Sequence, residues 1–409
     1  MADQPHTGTS LLAGRVGDIF GRRLTLLLGA ITFFIGGMFQ TLATGYDIMI
    51  VGRVIAGFGV GFLSLVFVCF PEVHEAHCAP CRMIVPVFQS EISPAEHRGK
   101  LACIEFTGNI CGYASSVWID YFASYIQSDL SWRVPLSVQC LIGGILALGT
   151  LFIPESPRWL IDVDRDQDGL KVLADLHGGG NLEDEAVKAE FHEIKERVML
   201  DRLAGDRSYF TMWKRYRYRV LIAMSAQGFA QLNGINVISY YAPLVFESAG
   251  WFGRDAILMT GINGLIYVAS TIPTWYLVDM WGRRPILLSG AVIMAVSLSF
   301  IGYMIYLDRS FTPNAVVAGV IVYNAAFGYS WGPIPWLYPA EIMPLPFRVK
   351  GVSISTATNW LFNWIVGEGT PILQESIRWR LYPMHGFFCV CSFILGTLPP
   401  SLRALWPTC

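Results

Sequence analysis

Runs of about twenty apolar residues recur along most of this chain, and they restrict its fold more than any other feature. A stretch of that length can cross the ~30 Å hydrocarbon core of a bilayer as a helix. Inside the bilayer every backbone polar group must be bonded within the protein. Candidate spans stand near 24–44, 48–70, 101–122, 134–153, 220–245, 256–278, 286–306, 315–338, 350–373 and 384–398. The last is short, because Pro399 and Pro400 would stop a helix. Charged residues make up 15% of the 409 positions, against roughly a quarter in soluble domains. The expected class is an all-α integral membrane protein with about ten transmembrane helices, partnered by the lipid bilayer. The chain has no basic cluster of the kind that holds nucleic acid. Its nine cysteines lie mostly in apolar runs and read as small buried hydrophobes rather than a disulfide framework.

Orientation follows from the basic residues. The polar stretch 154–219 holds 12 of the 29 Lys and Arg. Within it, "EDEAVKAEFHEIKERVML" places Phe191, Ile194 and Val198 on one side of a surface helix. If alternate loops share a side, this stretch joins Arg15, Arg22, Arg23, Arg98, Lys100, Arg283, Arg284, Arg348 and Lys350. The positive-inside rule makes that side cytoplasmic. The expectation is a multi-pass protein, of the plasma membrane, with the 154–219 loop in the cytosol.

The chain also repeats itself. "VGDIFGRRLTLLLGA" (16–30) matches "LVDMWGRRPILLSGA" (277–291), which sets Asp18, Arg22 and Arg23 against Asp279, Arg283 and Arg284. "EISPAEHR" (91–98) matches "EIMPLPFR" (341–348), which sets Glu91 and Arg98 against Glu341 and Arg348. Two pairs in the same order imply two related halves, a transporter design with the site at their interface. An acid with paired arginines can bridge neighbouring helices at the membrane rim. Such a bridge can hold one conformation and release in another.

With "GRVGDIFGRR", "GRVIAGFGVG", "PESPRWL", "QLNGINVISYY", "DMWGRR", "GPIPWLYPAE" and "NWLFNWIVGE", the chain resembles the sugar porter family of the major facilitator superfamily, in a fungal style. The resemblance implies two six-helix bundles and alternating access for a monosaccharide or polyol. It implies no enzymatic step, no cofactor and no metal. It makes Gln231 and Asn236 hydroxyl ligands, with Tyr240 and Tyr241 one turn on. Asn359 is a further ligand, Trp336 a stacking wall and Asn263 a weaker candidate. Glu155 and Arg158 of "PESPRWL" join the gating residues. Proton coupling is expected in the complete protein through Arg53, which proton-coupled members link to an Asp on the first helix. A non-transporting sugar sensor and a membrane protein with a cytosolic zinc site are the alternatives.

The chain also departs from this family. It begins inside the second family helix, so the first helix and its coupling Asp are absent, and transport by this form is expected to be impaired. A sugar-binding Gln of the fifth family helix falls here on Phe106, with Glu105, Thr107 and Asn109 as nearby polar substitutes. The family's closing motif is replaced by an atypical tail, 399–409. Residues 65–82 lengthen the interval from Arg53 to Glu91, and removing them restores the family spacing. This segment holds His74, His77, Cys78 and Cys81. Classical zinc sites set their ligand pairs a dozen or more residues apart, so adjacent pairs fit a zinc site poorly. A solvated loop or a retained short intron accounts for the segment better. The expected division is an incomplete N-terminal bundle (1–153), a cytoplasmic linker (154–219), a C-terminal six-helix bundle (220–398) and the tail.

Overall fold

The computed structural model describes residues 19–66, 98–203, 208–248, 250–344 and 347–397. Its regular elements are helical. In the first half, α1 (Arg22–Thr41) packs on α2 (Tyr46–Val66) and α4 (Leu130–Thr150), while α3 (Arg98–Ala123) lies beside α4. Small helices α5 (Pro157–Asp162), α6 (Asp166–His177) and α7 (Glu185–Leu203) form the connecting segment. The second half comprises α8 (Tyr209–Leu232), α9 (Ile235–Tyr240), α10 (Ala242–Ser248), α11 (Arg254–Thr271) and α12 (Thr274–Met280). It continues through α13 (Arg283–Leu307), α14 (Thr312–Tyr329), α15 (Ile334–Ile342), α16 (Arg348–Ile377) and α17 (Leu381–Thr397).

Among the described residues each of the ten expected spans is mainly helical, but three of them are broken. The span near 220–245 stops at Asn233 because Gly234 turns left-handed, at φ 96° and ψ 13°, a conformation that costs glycine little. It also starts earlier than its apolar run, with a kink at Tyr216. The span near 256–278 breaks before Pro273, and that near 315–338 breaks between Tyr329 and Ile334, where Pro333 has no N–H to continue the ladder. Taken across its breaks, the chain has five stretches long and apolar enough to cross a membrane by themselves, among the described residues.

The internal repeat is visible in three dimensions. α13 packs against α14 and α17 as α1 packs against α2 and α4. Gly21 and Gly282 cap the two matched helices with nearly one conformation, φ 89° with ψ 167° and φ 79° with ψ 168°. Only glycine adopts that region readily. Arg23 donates to the carbonyls of Thr150 and Leu151 at the end of α4, and Arg284 donates to that of Gly396 at the end of α17. Each cation thus meets the negative end of a helix dipole. A Cβ on Gly282 would meet nothing within 4 Å, so Gly282→Ala tests backbone strain alone. It should cost roughly 1–3 kcal/mol, read as a lower midpoint of thermal unfolding in detergent.

The halves meet along α3. It packs on α11, α12 and α15, and α2 meets α16. The Thr107 hydroxyl accepts from the Thr271 hydroxyl at 2.8 Å and the Trp275 indole at 2.9 Å. Higher up, the Tyr113 hydroxyl donates to the Ser239 carbonyl and Arg254 to that of Ser124. In the connecting segment, Val187 and Val198 are buried and Ile194 packs with Leu173 and Ala174, as the amphipathic reading requires. Cys103, Cys140 and Cys389 are buried free thiols, whereas Cys111 is exposed.

Candidate functional site

The amides singled out from the sequence converge where α8, α9 and α16 meet. Gln231 closes the last turn of α8 and Asn236 opens α9. The Asn236 amide donates to Gln231 Oε1 at 2.8 Å. A third amide, Asn363 on α16, completes the group. Its Nδ2 donates to Gln231 Oε1 and Asn236 Oδ1, both at 3.3 Å, and to the Tyr240 hydroxyl at 3.1 Å. One turn deeper, Asn359 Nδ2 donates to Gln227 Oε1 at 2.6 Å. Gln227 in turn donates to the carbonyl of Pro335, next to Trp336. All five amides are buried, Trp336 is half-buried and Tyr240 is exposed. Tyr241 points its hydroxyl at the Gly367 carbonyl at 2.8 Å.

This is a neutral site built from amides and hydroxyls. Gln231 Nε2 and Asn359 Oδ1 make no hydrogen bond among the described residues. One is a donor and the other an acceptor. A hydroxyl both donates and accepts, so it can complete both.

Gln227 and Asn363 were not among the residues expected. Their signal was present: Gln227 precedes Gln231, and Asn363 follows Asn359, by four residues. That spacing puts each pair on one helix face. Asn263 stands apart. It is buried on α11, with neither amide atom bonded among the described residues.

The polar substitutes on α3 do not join the site. Thr107 is occupied between the halves, as described above. Asn109 is exposed and Glu105 only half-buried. Phe106 instead fills space across the interface, where a Cβ on Gly332 would stand 2.4 Å from its ring tip. Arg53 is exposed on α2 and makes no ion pair among the described residues.

The residues expected to gate divide by half. In the second, Arg283 reaches Glu341 with two bonds, Nη2 to Oε1 at 2.7 Å and Nε to Oε2 at 3.2 Å. It also holds Asp279 at 3.3 Å and the Val278 carbonyl at 2.9 Å. Arg348 adds a second positive charge beside Glu341. This is the expected acid and arginine bridge, and Gly99 of α3 sits directly against Asp279 and Arg283. In the first half, Glu155 uses its carboxylate differently. It accepts the backbone N–H groups of Arg22 at 2.8 Å, Arg23 at 3.2 Å and Ser156 at 3.0 Å. An anion there satisfies orphan donors at the positive end of α1. Gly21 has no room for a Cβ, which would lie 2.5 Å from Glu155 Oε2. Arg158 is half-buried in the first turn of α5. Asp18, Glu91, the Arg98 side chain, the tail and the histidines and cysteines of 74–81 lie outside the described residues, as does most of 65–82. α2 continues through Leu65 and Val66.

The broken helices, the neutral amide site and the paired rim motifs match one family. Its model, sugar (and other) transporter, matches residues 7–71 and 77–398. The chain belongs to the sugar transporter family. It is 31% identical to a high-affinity glucose transporter of Kluyveromyces lactis, over 94% of this chain and 71% of that one. It is equally similar, at 31%, to the MFS glucose transporter mfs1 of Aspergillus flavus, over 94% of this chain and 74% of the relative. Among solved structures, the proton:xylose symporter XylE bound to 6-bromo-6-deoxy-D-glucose superposes with a TM-score of 0.80 at 26% identity, covering 99% of this chain and 88% of that one. The major facilitator fold and a multi-pass membrane protein follow. As a member of that family the chain is a sugar transporter.

Proposed function

We propose that the transported solute is a monosaccharide or polyol bound by Gln231, Asn236, Asn359 and Asn363, with Tyr240 and Trp336 at the edge of the site. The observation that carries this reading is the neutral amide cluster with one unused donor and one unused acceptor. Neutral amides bind hydroxyls without selecting for charge. Buried polar groups left unpaired penalise a ligand that lacks the matching hydroxyl. The relatives named for glucose and xylose support the same substrate class.

A proton accompanies the sugar in this reading. The symporter named above supports it, and the reading assigns coupling to Arg53 on α2, which is exposed. In this reading the linker segment, which carries 12 of the 29 Lys and Arg, faces the cytosol of a plasma-membrane protein by the positive-inside rule.

The test is equilibrium binding of labelled D-glucose, D-xylose and a polyol series to the purified chain in lipid nanodiscs. Uptake into proteoliposomes follows, with and without a protonophore. Saturable binding of at least one neutral sugar, competed by its analogues, is expected. Uptake by this form is expected to be weak, and what there is should fall when the proton gradient is collapsed. Binding confined to a charged solute would overturn the substrate class.

A further inference from the structure

The break between α8 and α9 creates a problem that the chain solves with residues far from it in sequence. In an uninterrupted helix the carbonyls of Leu232 and Asn233 would accept the N–H groups of Asn236 and Val237. The left-handed turn at Gly234 diverts the chain, and both carbonyls lose those partners. Asn233 is buried, and a break inside a membrane span has to be satisfied within the protein. Three side chains from two other helices take their place. His385 on α17 meets the Leu232 carbonyl through Nδ1 at 2.7 Å. Tyr323 on α14 donates its hydroxyl to the Asn233 carbonyl at 2.9 Å. Cys389, one turn after His385, reaches that same carbonyl through Sγ at 3.7 Å.

All three side chains are buried. A carbonyl only accepts, so His385 carries its proton on Nδ1. The fit is close on the other side of the ring as well. A Cβ at Gly234 would stand 3.0 Å from His385 Cβ and 3.1 Å from Cγ. The glycine therefore serves two needs, the positive φ and the approach of the imidazole.

Gln231 lies before the break and Asn236 after it. On a straight helix residues five apart sit about 140° apart around the axis and about 7.5 Å along it. Their 2.8 Å side-chain bond therefore requires the break. We infer that His385, Tyr323 and Cys389 form a latch on the Leu232–Asn233 carbonyls that sets the separation of Gln231 and Asn236. They are positioning residues for a sugar they do not touch. The inference rests on the amide cluster being the sugar site.

The test uses the whole chain in lipid nanodiscs and two readouts. The first is hydrogen exchange of the backbone amides of α9. The second is equilibrium binding of D-glucose and D-xylose. Tyr323→Phe removes one donor and keeps the ring. His385→Leu removes a donor, whereas His385→Asn keeps an amide N–H near the place of Nδ1. Tyr323→Phe and His385→Leu should each speed exchange in α9 by roughly tenfold, the factor expected for one net hydrogen bond. Each should also weaken sugar binding by about three- to tenfold. His385→Asn should stay within about twofold of the wild type in both readouts. Unchanged α9 exchange in Tyr323→Phe and His385→Leu would refute the latch, as would His385→Asn behaving like His385→Leu. Faster exchange with unchanged sugar affinity would refute its role in positioning. If the wild-type chain binds neither sugar, the site assignment fails, and the exchange measurement still decides whether the latch holds the break.

Discussion

Asn363→Ala is expected to weaken sugar binding by roughly ten- to a hundredfold, the range that follows from leaving one or two buried polar groups unpaired at about 1–3 kcal/mol each. Asn363 is the hub of the site. Its Nδ2 serves Gln231, Asn236 and Tyr240, and its Oδ1 lies 3.5 Å from the Tyr240 hydroxyl. Truncation removes the Asn236 Oδ1 contact and one of the two donors to Gln231 Oε1, and lets Gln231 and Asn236 rearrange. Asn363→Asp separates chemistry from shape. It fills the same volume but exchanges the Nδ2 donor for an acceptor, so three of the four contacts become acceptor-to-acceptor or must reverse. It should therefore bind sugar nearly as poorly as the alanine variant while packing normally. Calorimetric titration with the sugar that the wild type binds best would measure both. Retention of wild-type affinity by Asn363→Asp would remove Asn363 from the site.

Arg283→Ala should destabilise the protein by about 3–5 kcal/mol, the usual consequence of stranding one member of a largely buried ion pair. The arginine side chain is 16% exposed and that of Glu341 26%, so solvent relieves little of the loss. The loss should appear as a large drop in thermal midpoint and as increased labelling of a cysteine placed on the rim near Gly99. The double variant Arg283→Ala, Glu341→Gln distinguishes charge from packing. With the uncompensated carboxylate gone, it should regain much of the stability of the single variant, a non-additivity that only coupled neighbours show. A double variant as unstable as the sum of the two singles would mean that the residues do not act as a pair. Glu155, which lies outside the repeat, should respond differently. It caps backbone N–H groups, so its replacement by Gln should weaken the cap without stranding a charge.

Much of this was legible in the sequence because membrane insertion imposes a length rule and a charge rule on the chain. Apolar runs of spanning length announce helices whatever they pack against. The paired "GRR" motifs announced two halves, and Gly21 and Gly282 share a backbone conformation because both matched helices start with the same turn. Gln231, Asn236 and Asn359 were legible as polar residues in apolar helices, where an unneeded amide is costly. Asn363 and Gln227 escaped notice although each repeats a chosen amide at a four-residue spacing. The contrast between Glu341 and Glu155 had no local signal. Glu341 belongs to the repeated Glu-x6-Arg motif and Glu155 to "PESPRWL", and neither motif says that one carboxylate faces a guanidinium and the other a helix end.

By itself, then, the sequence determined the class, the helix count to within the breaks, the two-fold repeat and the chemical type of the site. These depend on composition and spacing along one chain, which local physics reads directly. The tertiary structure alone decided which amides meet and which partners hold the broken helix. It also decided that Phe106 fills space across the halves and that Thr107 joins them. The contacts between helices join residues ninety or more positions apart. Their geometry comes from how the helices pack, and no pattern within a single helix encodes it.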